Sequence, residues 1–382
     1  MRKKVHIIGI GGTGMSAIAL MLLEKGYEVS GTDMNASDYF QRVTEQGAQT
    51  VLGHDPALAI SADMVLRSSA IKDDDPEVAA AMAAGVPVLK RSEFLQELIG
   101  DQITLAIAGS HGKTTTSAML ITLLQALEED PSFILGAKLK ELGTNARVGT
   151  GKYFVIEADE YDRMFLGLAP EVSLITNLEH DHPDCFPTFQ DYTQAFADFI
   201  GRTVPGGKVV YCGDDPALKD LMGQVAESKA AFLSYGSKGD ADYHIKNARW
   251  TGNGYEFALS YRGEPLGVFH LSMPGRHNVL NAAGALAVIH QLGLEMSLAE
   301  RALARFSGSD RRFDLVYDTG GVHVINDYGH HPTQVRATLQ AARESFPEAS
   351  LWAVWEPHTY SRTHALRDDF IAALKLADRV RI

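Results

Sequence analysis

Cysteine is nearly absent from this chain: Cys185 and Cys212 are the only two. Two thiols exclude a disulfide framework and suit a reducing compartment. Long apolar runs are missing as well. Nothing approaches the roughly 18 uninterrupted apolar residues that mark a membrane-spanning helix, so no membrane partner is expected. Basic charge is scarce, with 35 Lys and Arg against 48 Asp and Glu and a formal net charge of −13. That balance argues against general binding to nucleic acid or anionic membranes, while local basic sites for small anions stay open. Met1-Arg2-Lys3-Lys4 precedes an apolar run, as in a signal peptide, but glycines interrupt the run at once and it reads as a first strand. The cytoplasm is the expected location, and no obligate protein partner is inferred. What is present is ordinary for a globular chain: 382 residues, 45% hydrophobic and 22% charged, enough for two or three domains.

The most informative stretch is Ala106-Ile107-Ala108-Gly109-Ser110-His111-Gly112-Lys113-Thr114-Thr115-Thr116. An apolar run of strand length ends at Gly109. After a short loop a helix follows, with Met119, Leu120, Leu123, Leu124 and Leu127 on one stripe. Strand, glycine loop, Lys-Thr and helix form a phosphate cradle. Loop N–H groups and the positive helix end face an anion, Lys113 adds a charge, and Thr114 adds a hydroxyl for Mg²⁺. The Gly-x-x-Gly-Lys-Thr spacing is shorter than the usual Gly-x-x-x-x-Gly-Lys-Thr, and Ile107 stands where that pattern has glycine. An ordinary glycine turn is the alternative; a nucleoside triphosphate is the expected ligand.

A second glycine pattern opens the chain. A strand beginning at Val5 leads into Gly9-Ile10-Gly11-Gly12-Thr13-Gly14, a helix follows, and a second strand ends at Asp33, 19 positions beyond Gly14. This is a dinucleotide-type arrangement, with a diphosphate at the helix N-terminus and ribose hydroxyls at Asp33. The pattern does not distinguish NAD from a nucleotide sugar, and glycines serving only close packing are the bland alternative. Alternating strands and helices continue to about residue 99, which predicts a doubly wound parallel sheet.

Two further apolar strands run straight into charge: Phe154 to Glu157-Ala158-Asp159-Glu160, and Val172 to Thr176-Asn177-Leu178-Glu179-His180-Asp181-His182. Reactive residues of open α/β sheets gather at the carboxyl ends of strands, so both clusters are expected beside the phosphate loop. Mg²⁺ near Thr114 and Glu157 is chemically sensible. Zinc at His180, His182 and Cys185 lacks a partner pair. From about Ala241 to Leu271 the pattern alternates and predicts antiparallel strands. Pro274-Gly275-Arg276-His277-Asn278 then opens an Ala-rich helix from Val279 to Gln291, carrying Asn281. These polar groups either contact a base or cap the helix. A third unit begins near Ser307. Its strand–helix arrangement occurs twice, and the sequence stops at Ile382 in what reads as mid-strand. The unit is therefore expected to be partial.

Taken in order, Gly-Ile-Gly-Gly-x-Gly-Met-Ser, Ser-Ser-Ala-Ile, Gly-x-His-Gly-Lys-Thr-Thr-Thr, Glu-Ala-Asp-Glu, Thr-Asn-x-Glu-x-Asp-His, Pro-Gly-x-His-Asn, Gly-x-x-Arg-Arg-Phe-Asp, Asp-Tyr-Gly-His-His-Pro and Pro-His-x-Tyr-Ser-Arg-Thr resemble the motifs of the Mur ligases across essentially the whole chain. The resemblance implies an α/β fold of three domains. Residues 1–99 would form a Rossmann-like UDP-sugar domain and 100–306 a central P-loop ATPase-like domain. Residues 307–382 would be part of a Rossmann-like amino-acid domain of about 150 residues. It implies an ATP-dependent amide ligase joining L-alanine to the lactyl carboxylate of UDP-N-acetylmuramic acid, in peptidoglycan precursor synthesis. Gly11, Gly12, Thr13, Gly14, Asp33, Ser69 and Arg91 would bind the UDP-sugar. Gly109, Ser110, His111, Gly112, Lys113, Thr114 and Thr115 would cradle ATP, with His277, Asn278 and Asn281 near adenine, Arg312 near the phosphates and Asp327 near the ribose. Thr114, Glu157 and His182 would hold Mg²⁺. Tyr328, His330 and Arg362 would line the amino-acid site, and Lys113, Glu157, His182 and Arg312 would carry the chemistry. Thr359 stands where some members have Arg. Glu160-Tyr161-Asp162 is similar to the muropeptide-recycling members, which join a tripeptide to the same sugar nucleotide. The amino substrate is therefore open between L-alanine, glycine, L-serine and a tripeptide. A dehydrogenase reading rests on the first glycine loop alone, and a binding module without catalysis is the third alternative.

Overall fold

A computed structural model describes residues 2–225, 229–357 and 359–382; His358, in the last of the motifs, lies outside the described residues. The first sheet is built from β1 (Lys4–Ile8), β2 (Glu28–Asp33), β3 (Gln49–Leu52), β4 (Met64–Arg67) and β5 (Val88–Lys90). All pairings are parallel, in the order β3-β2-β1-β4-β5. β4 is buried along its whole length, and β1 everywhere but its first residue, as strands covered on both faces must be. The chain winds outward in opposite directions from β1 and β4. The glycine loop after β1 therefore opens at the switch point of the sheet. β1 ends at Ile8 because Gly9 takes φ +80° and the N–H groups of Gly9 and Ile10 both turn onto Thr32 O, at 2.8 and 3.0 Å.

Ten strands make the second sheet: β6 (Ile103–Ala108), β7 (Ser132–Leu139), β8 (Thr144–Arg147), β9 (Tyr153–Glu157), β10 (Val172–Ile175), β11 (Lys208–Cys212), β12 (Ala231–Gly236), β13 (Tyr243–Trp250), β14 (Tyr255–Tyr261) and β15 (Glu264–Leu271). Their order is β15-β14-β13-β12-β11-β10-β6-β9-β7-β8. β6 is hydrogen-bonded to β10 on one side and β9 on the other, both parallel. Three carboxyl ends thus share one edge, as the charge at the ends of those strands predicts. β13, β14 and β15 are antiparallel neighbours, also as expected.

The helix Lys113–Ala126 differs from its one-stripe reading: every residue from Thr114 to Leu124 is buried. It packs against the helix Arg276–Gln291 as well as β7 and β9, so no solvent face is left over these turns. Met119, Leu120, Ile121, Leu123 and Leu124 are each 1% exposed or less, and each contributes roughly 1.5–3 kcal/mol. The second of these helices starts at Arg276, three residues before the Val279 expected, so Asn278 and Asn281 lie in its first two turns.

The third unit holds the antiparallel hairpin of β16 (Asp314–Thr319) and β17 (Val322–Asn326), and a parallel pair of β18 (Trp352–Val354) and β19 (Arg379–Arg381). The repeated strand–helix arrangement is present, but β17 and β18 sit in separate two-stranded sheets. Val335, Leu339, Ala353, Phe370, Ala373 and Leu374 form a small core of their own. Among the described residues no helix is long and apolar enough to cross a membrane.

Candidate active site

The phosphate loop accepts only glycine at two points. Gly109 has φ +132°, and a Cβ there would lie 2.1 Å from Thr176 Oγ1; Gly112 has φ +82°, and a Cβ would lie 2.6 Å from Asn281 Oδ1. Gly112 opens the helix without a side-chain cap, leaving the first-turn N–H groups for an anion. Ser110 N–H donates to Asn177 O, and His111 N–H donates to Asn177 Oδ1 at 2.8 Å. Asn177 Nδ2 returns a bond to His111 O at 2.9 Å. The end of β10 thereby holds the loop open in one shape.

Lys113 folds back onto its own loop. Its Nζ lies 2.5 Å from Gly109 O and 2.8 Å from Glu160 Oε2. Glu160 is fully buried. Burial pushes its carboxyl up, but the Lys113 ammonium and His182 outweigh this and hold it below the ordinary range. His182 approaches the same carboxylate at 3.6 Å. Burial lowers its basicity, yet Glu160 and Asp181 raise it overall. Thr114 Oγ1 donates to Glu157 Oε1 at 2.9 Å and accepts from Arg312 Nη2 at 3.2 Å. A hydroxyl and a carboxylate in contact at the foot of a phosphate loop are hard oxygen donors that fit Mg²⁺. The structure brings Thr114 and Glu157 together, whereas His182 turns to Glu160 and Asp181.

Three cavities collect the residues singled out from the sequence. The first, about 420 Å³, is lined by His111, Gly112, Thr114, Thr115, His277, Asn278, Asn281, Arg312 and Asp327. Asn278 and Asn281 bond to Pro274 O and to each other, so they organise the helix start while facing the cavity. The second, about 460 Å³, takes Thr13, Gly14 and Arg91 from the first unit. From the second unit come Ser110, Lys113, Glu157 and His182, and from the third Arg312, Tyr328, His330 and Arg362. Thr13, Gly14 and Arg91 recur around a smaller space of about 160 Å³, joined there by Gly12 and Ser69. Gly11 and Asp33 lie outside all three. Asp33 accepts Gly11 N–H at 2.9 Å and Asn35 N–H at 3.0 Å, bracing the loop from behind.

On the third-unit side Arg362 grips Asp181 Oδ1 through Nε at 2.9 Å and Nη2 at 2.6 Å, with both side chains buried. Burial works to raise the Asp181 carboxyl, but His182 and Arg362 hold it well below the usual range. Burial, with Arg362 nearby, pushes His330 down to about 3, so this imidazole is neutral at neutral pH. The guanidinium groups of Arg311 and Arg312 sit over the Tyr328 ring, 4.3 and 5.4 Å from its centroid.

Some participants escape sequence reasoning. Tyr192 is fully buried; its hydroxyl donates to Glu160 Oε1 at 3.2 Å and is bonded to Ser110 Oγ at 2.9 Å. On a helix it reads as a core aromatic, and nothing in its spacing marks it. Asn177 and Glu160 carry a signal, because each ends a strand in charge or amide, but their partners come from tertiary contact. Gln334 gives no signal at all.

The chain resembles known proteins along nearly its whole length. Residues 4–102 match the Mur ligase family catalytic domain, 107–289 the Mur ligase middle domain and 311–382 the Mur ligase glutamate ligase domain. The UDP-N-acetylmuramate–L-alanine ligase of Geobacter sp. (strain M21) is 41% identical over 98% of this chain and 81% of its own length. That of Desulfosudis oleivorans is 41% identical over 98% and 82%. Among solved structures, the UDP-N-acetylmuramate-alanine ligase of Thermotoga maritima superposes with a TM-score of 0.86 at 28% identity, covering 99% of this chain and 84% of that one. A murein peptide ligase from Psychrobacter arcticus gives 0.80 at 26%, with the same coverage. With a phosphate loop, a glycine-loop sheet and a third unit meeting at one cavity, and with relatives matched along nearly its full length, the chain belongs to the Mur ligase family.

Proposed function

We propose that this chain is an ATP-dependent ligase that joins L-alanine to the lactyl carboxylate of UDP-N-acetylmuramic acid. The observation that carries this reading is the second cavity, where Gly14 and Arg91, Lys113 and Glu157, and His330 and Arg362 converge from three units. The reading assigns 1–99 to the sugar nucleotide, 100–306 to ATP and 307–382 to the amino acid, and the two free thiols suit its operation in the cytoplasm.

A carboxylate is a poor electrophile at neutral pH. Transfer of the ATP γ-phosphoryl group to a lactyl oxygen forms an acyl phosphate and ADP. The amine of L-alanine then attacks the acyl carbon, the amide bond forms, and phosphate departs with the C–O bond pair and takes up the proton lost from nitrogen. Phosphoryl transfer needs positioning and charge neutralisation above all. Lys113 is the cation nearest the loop, and Arg312, already on Thr114, is the second. Thr114 and Glu157 would hold Mg²⁺, which would spread the phosphate charge, and His182 would join them as a further ligand on leaving Glu160 and Asp181. His277, Asn278 and Asn281 would face adenine, and Asp327 the ribose. Arg91 and the first glycine loop would hold the diphosphate of the sugar nucleotide, with Ser69 at its edge and Asp33 bracing it. Arg362 would take the alanine carboxylate, and Tyr328 and His330 would orient the amine. A neutral His330 of low basicity suits orientation better than proton removal.

Phosphate release from ATP with UDP-N-acetylmuramic acid tests the proposal, adding L-alanine, glycine, L-serine or the tripeptide in turn. Release dependent on L-alanine is expected. Dependence on the tripeptide alone would move the chain to the recycling reaction, and release with neither would overturn the ligase reading.

A further inference from the structure

Gln334 stands in the first turn of the helix Pro332–Ser345 and lines both the first and the second cavity. The two ends of its amide are assigned by their partners. Oε1 accepts the backbone N–H of His330 at 2.9 Å and that of His331 at 3.2 Å. Two donors require a carbonyl oxygen there, which turns the NH₂ group toward His111 Nδ1, 3.0 Å away. A ring nitrogen that accepts carries no proton, so the His111 proton lies on Nε2 and donates to Glu179 Oε2 at 2.8 Å. Glu179 Oε1 in turn accepts the hydroxyl of Thr333 at 2.8 Å. The His331 ring packs over His111 at a centroid distance of 4.7 Å.

One side chain thus reaches from the phosphate loop to the backbone that carries His330. We infer that Gln334 is a positioning residue that couples nucleotide binding to amino-acid binding, through its bonds to His111 at one end and to the His330 and His331 N–H groups at the other. The assignment of the two ligands rests on the function proposed above. A ligand that orders His111 orders the amide, and the amide orders the loop of His330. The second ligand then meets a site already shaped, and by linkage the effect is reciprocal. Glu179 and Thr333 brace the same contact from the side, Thr333 N–H donating to His331 Nδ1 at 3.4 Å, while the two ends of the Gln334 amide meet His111 and the His330 backbone directly.

Gln334→Ala and Gln334→Glu separate this role from a packing role. Gln334→Ala is expected to raise KM for L-alanine about tenfold and KM for ATP by less, with KM for the UDP-sugar unchanged. Gln334→Glu keeps acceptor oxygens for the two backbone N–H groups but sets an acceptor against His111 Nδ1. Its KM for ATP should therefore rise at least as much as in Gln334→Ala, while its KM for L-alanine stays nearer the parent value. Unchanged KM for L-alanine in Gln334→Ala, or a KM for ATP in Gln334→Glu equal to that of the parent, overturns the inference. Histidine side-chain ¹⁵N NMR of the full chain tests the tie without catalysis. The parent should show His111 as the Nε2–H tautomer, and Gln334→Ala should shift the His111 Nδ1 signal together with the backbone N–H of His330. Absence of that joint shift also overturns the inference. A parent without alanine-dependent turnover that keeps the joint shift would instead remove the ligase reading and leave the tie standing.

Discussion

The loop from Gly9 to Gly14 and the loop from Gly109 to Gly112 both follow a strand with parallel neighbours on either side, and both open an uncapped helix. Their cations come from very different distances along the chain. The second loop carries Lys113 one residue past its last glycine, and buried Glu160 clamps the ammonium. The first loop has no adjacent cation and borrows Arg91 from the start of a distant helix. Arg91 lies so close that a Cβ on Gly14 would fall 2.3 Å from Nη1. A cation within the loop makes a motif readable as phosphate binding. A cation supplied from across the sheet leaves the same glycine pattern ambiguous between cofactors.

Lys113→Ala should break the comparison most. Turnover is expected to fall about a thousandfold or more, because the loop loses its built-in charge, while affinity for the UDP-sugar measured by calorimetry stays within a few-fold. Near-normal turnover would remove Lys113 from the phosphates. Glu160→Gln comes next. It leaves the Lys113 ammonium in a largely buried position without its counter-charge, and unfolding in urea should show a loss on the order of 3 kcal/mol. Retained stability would mean the ammonium finds another partner. Arg91→Ala should be milder and local, weakening UDP-sugar binding about tenfold with KM for ATP unchanged. An equal effect on both nucleotides would place Arg91 between the loops instead of on the first.

The smallest contrast concerns acid. Glu77 in the first unit and Glu179 in the second both sit at about 2 against an ordinary 4.5, although burial works to raise each. His6 and Thr32 lower the one; His111, His331 and Thr333 lower the other. A depressed carboxyl stabilises the fold above its unfolded value and loses that contribution as pH falls from about 4.5 toward about 2. Unfolding followed across that window should show a shallower acid limb in Glu77→Gln than in the parent. Glu179 is 42% exposed at its side chain, so Glu179→Gln should flatten the limb less. The reverse order would show that the contact between the second and third units, not the buried pair, dominates acid stability.

Local order settled what the sequence could reveal. Each glycine loop follows an apolar run and precedes a helix, and each carboxylate cluster ends a strand. Those placements are set within a dozen residues by backbone conformation and burial, so the α/β class, both strand–glycine loop–helix turns and the antiparallel segment were legible in advance. The pairing of Thr114 with Glu157 was legible too, because strands flanking β6 must deliver their ends to one edge. Tertiary structure decided the rest. Tyr192 on Ser110 and Glu160, Arg91 against Gly14, Arg362 on Asp181 and Gln334 between His111 and the His330 loop all join residues far apart in sequence. Such contacts depend on how sheets and helices pack and on which buried polar groups must find partners. A linear pattern shows that a polar group exists, and only the packed chain shows which one answers it.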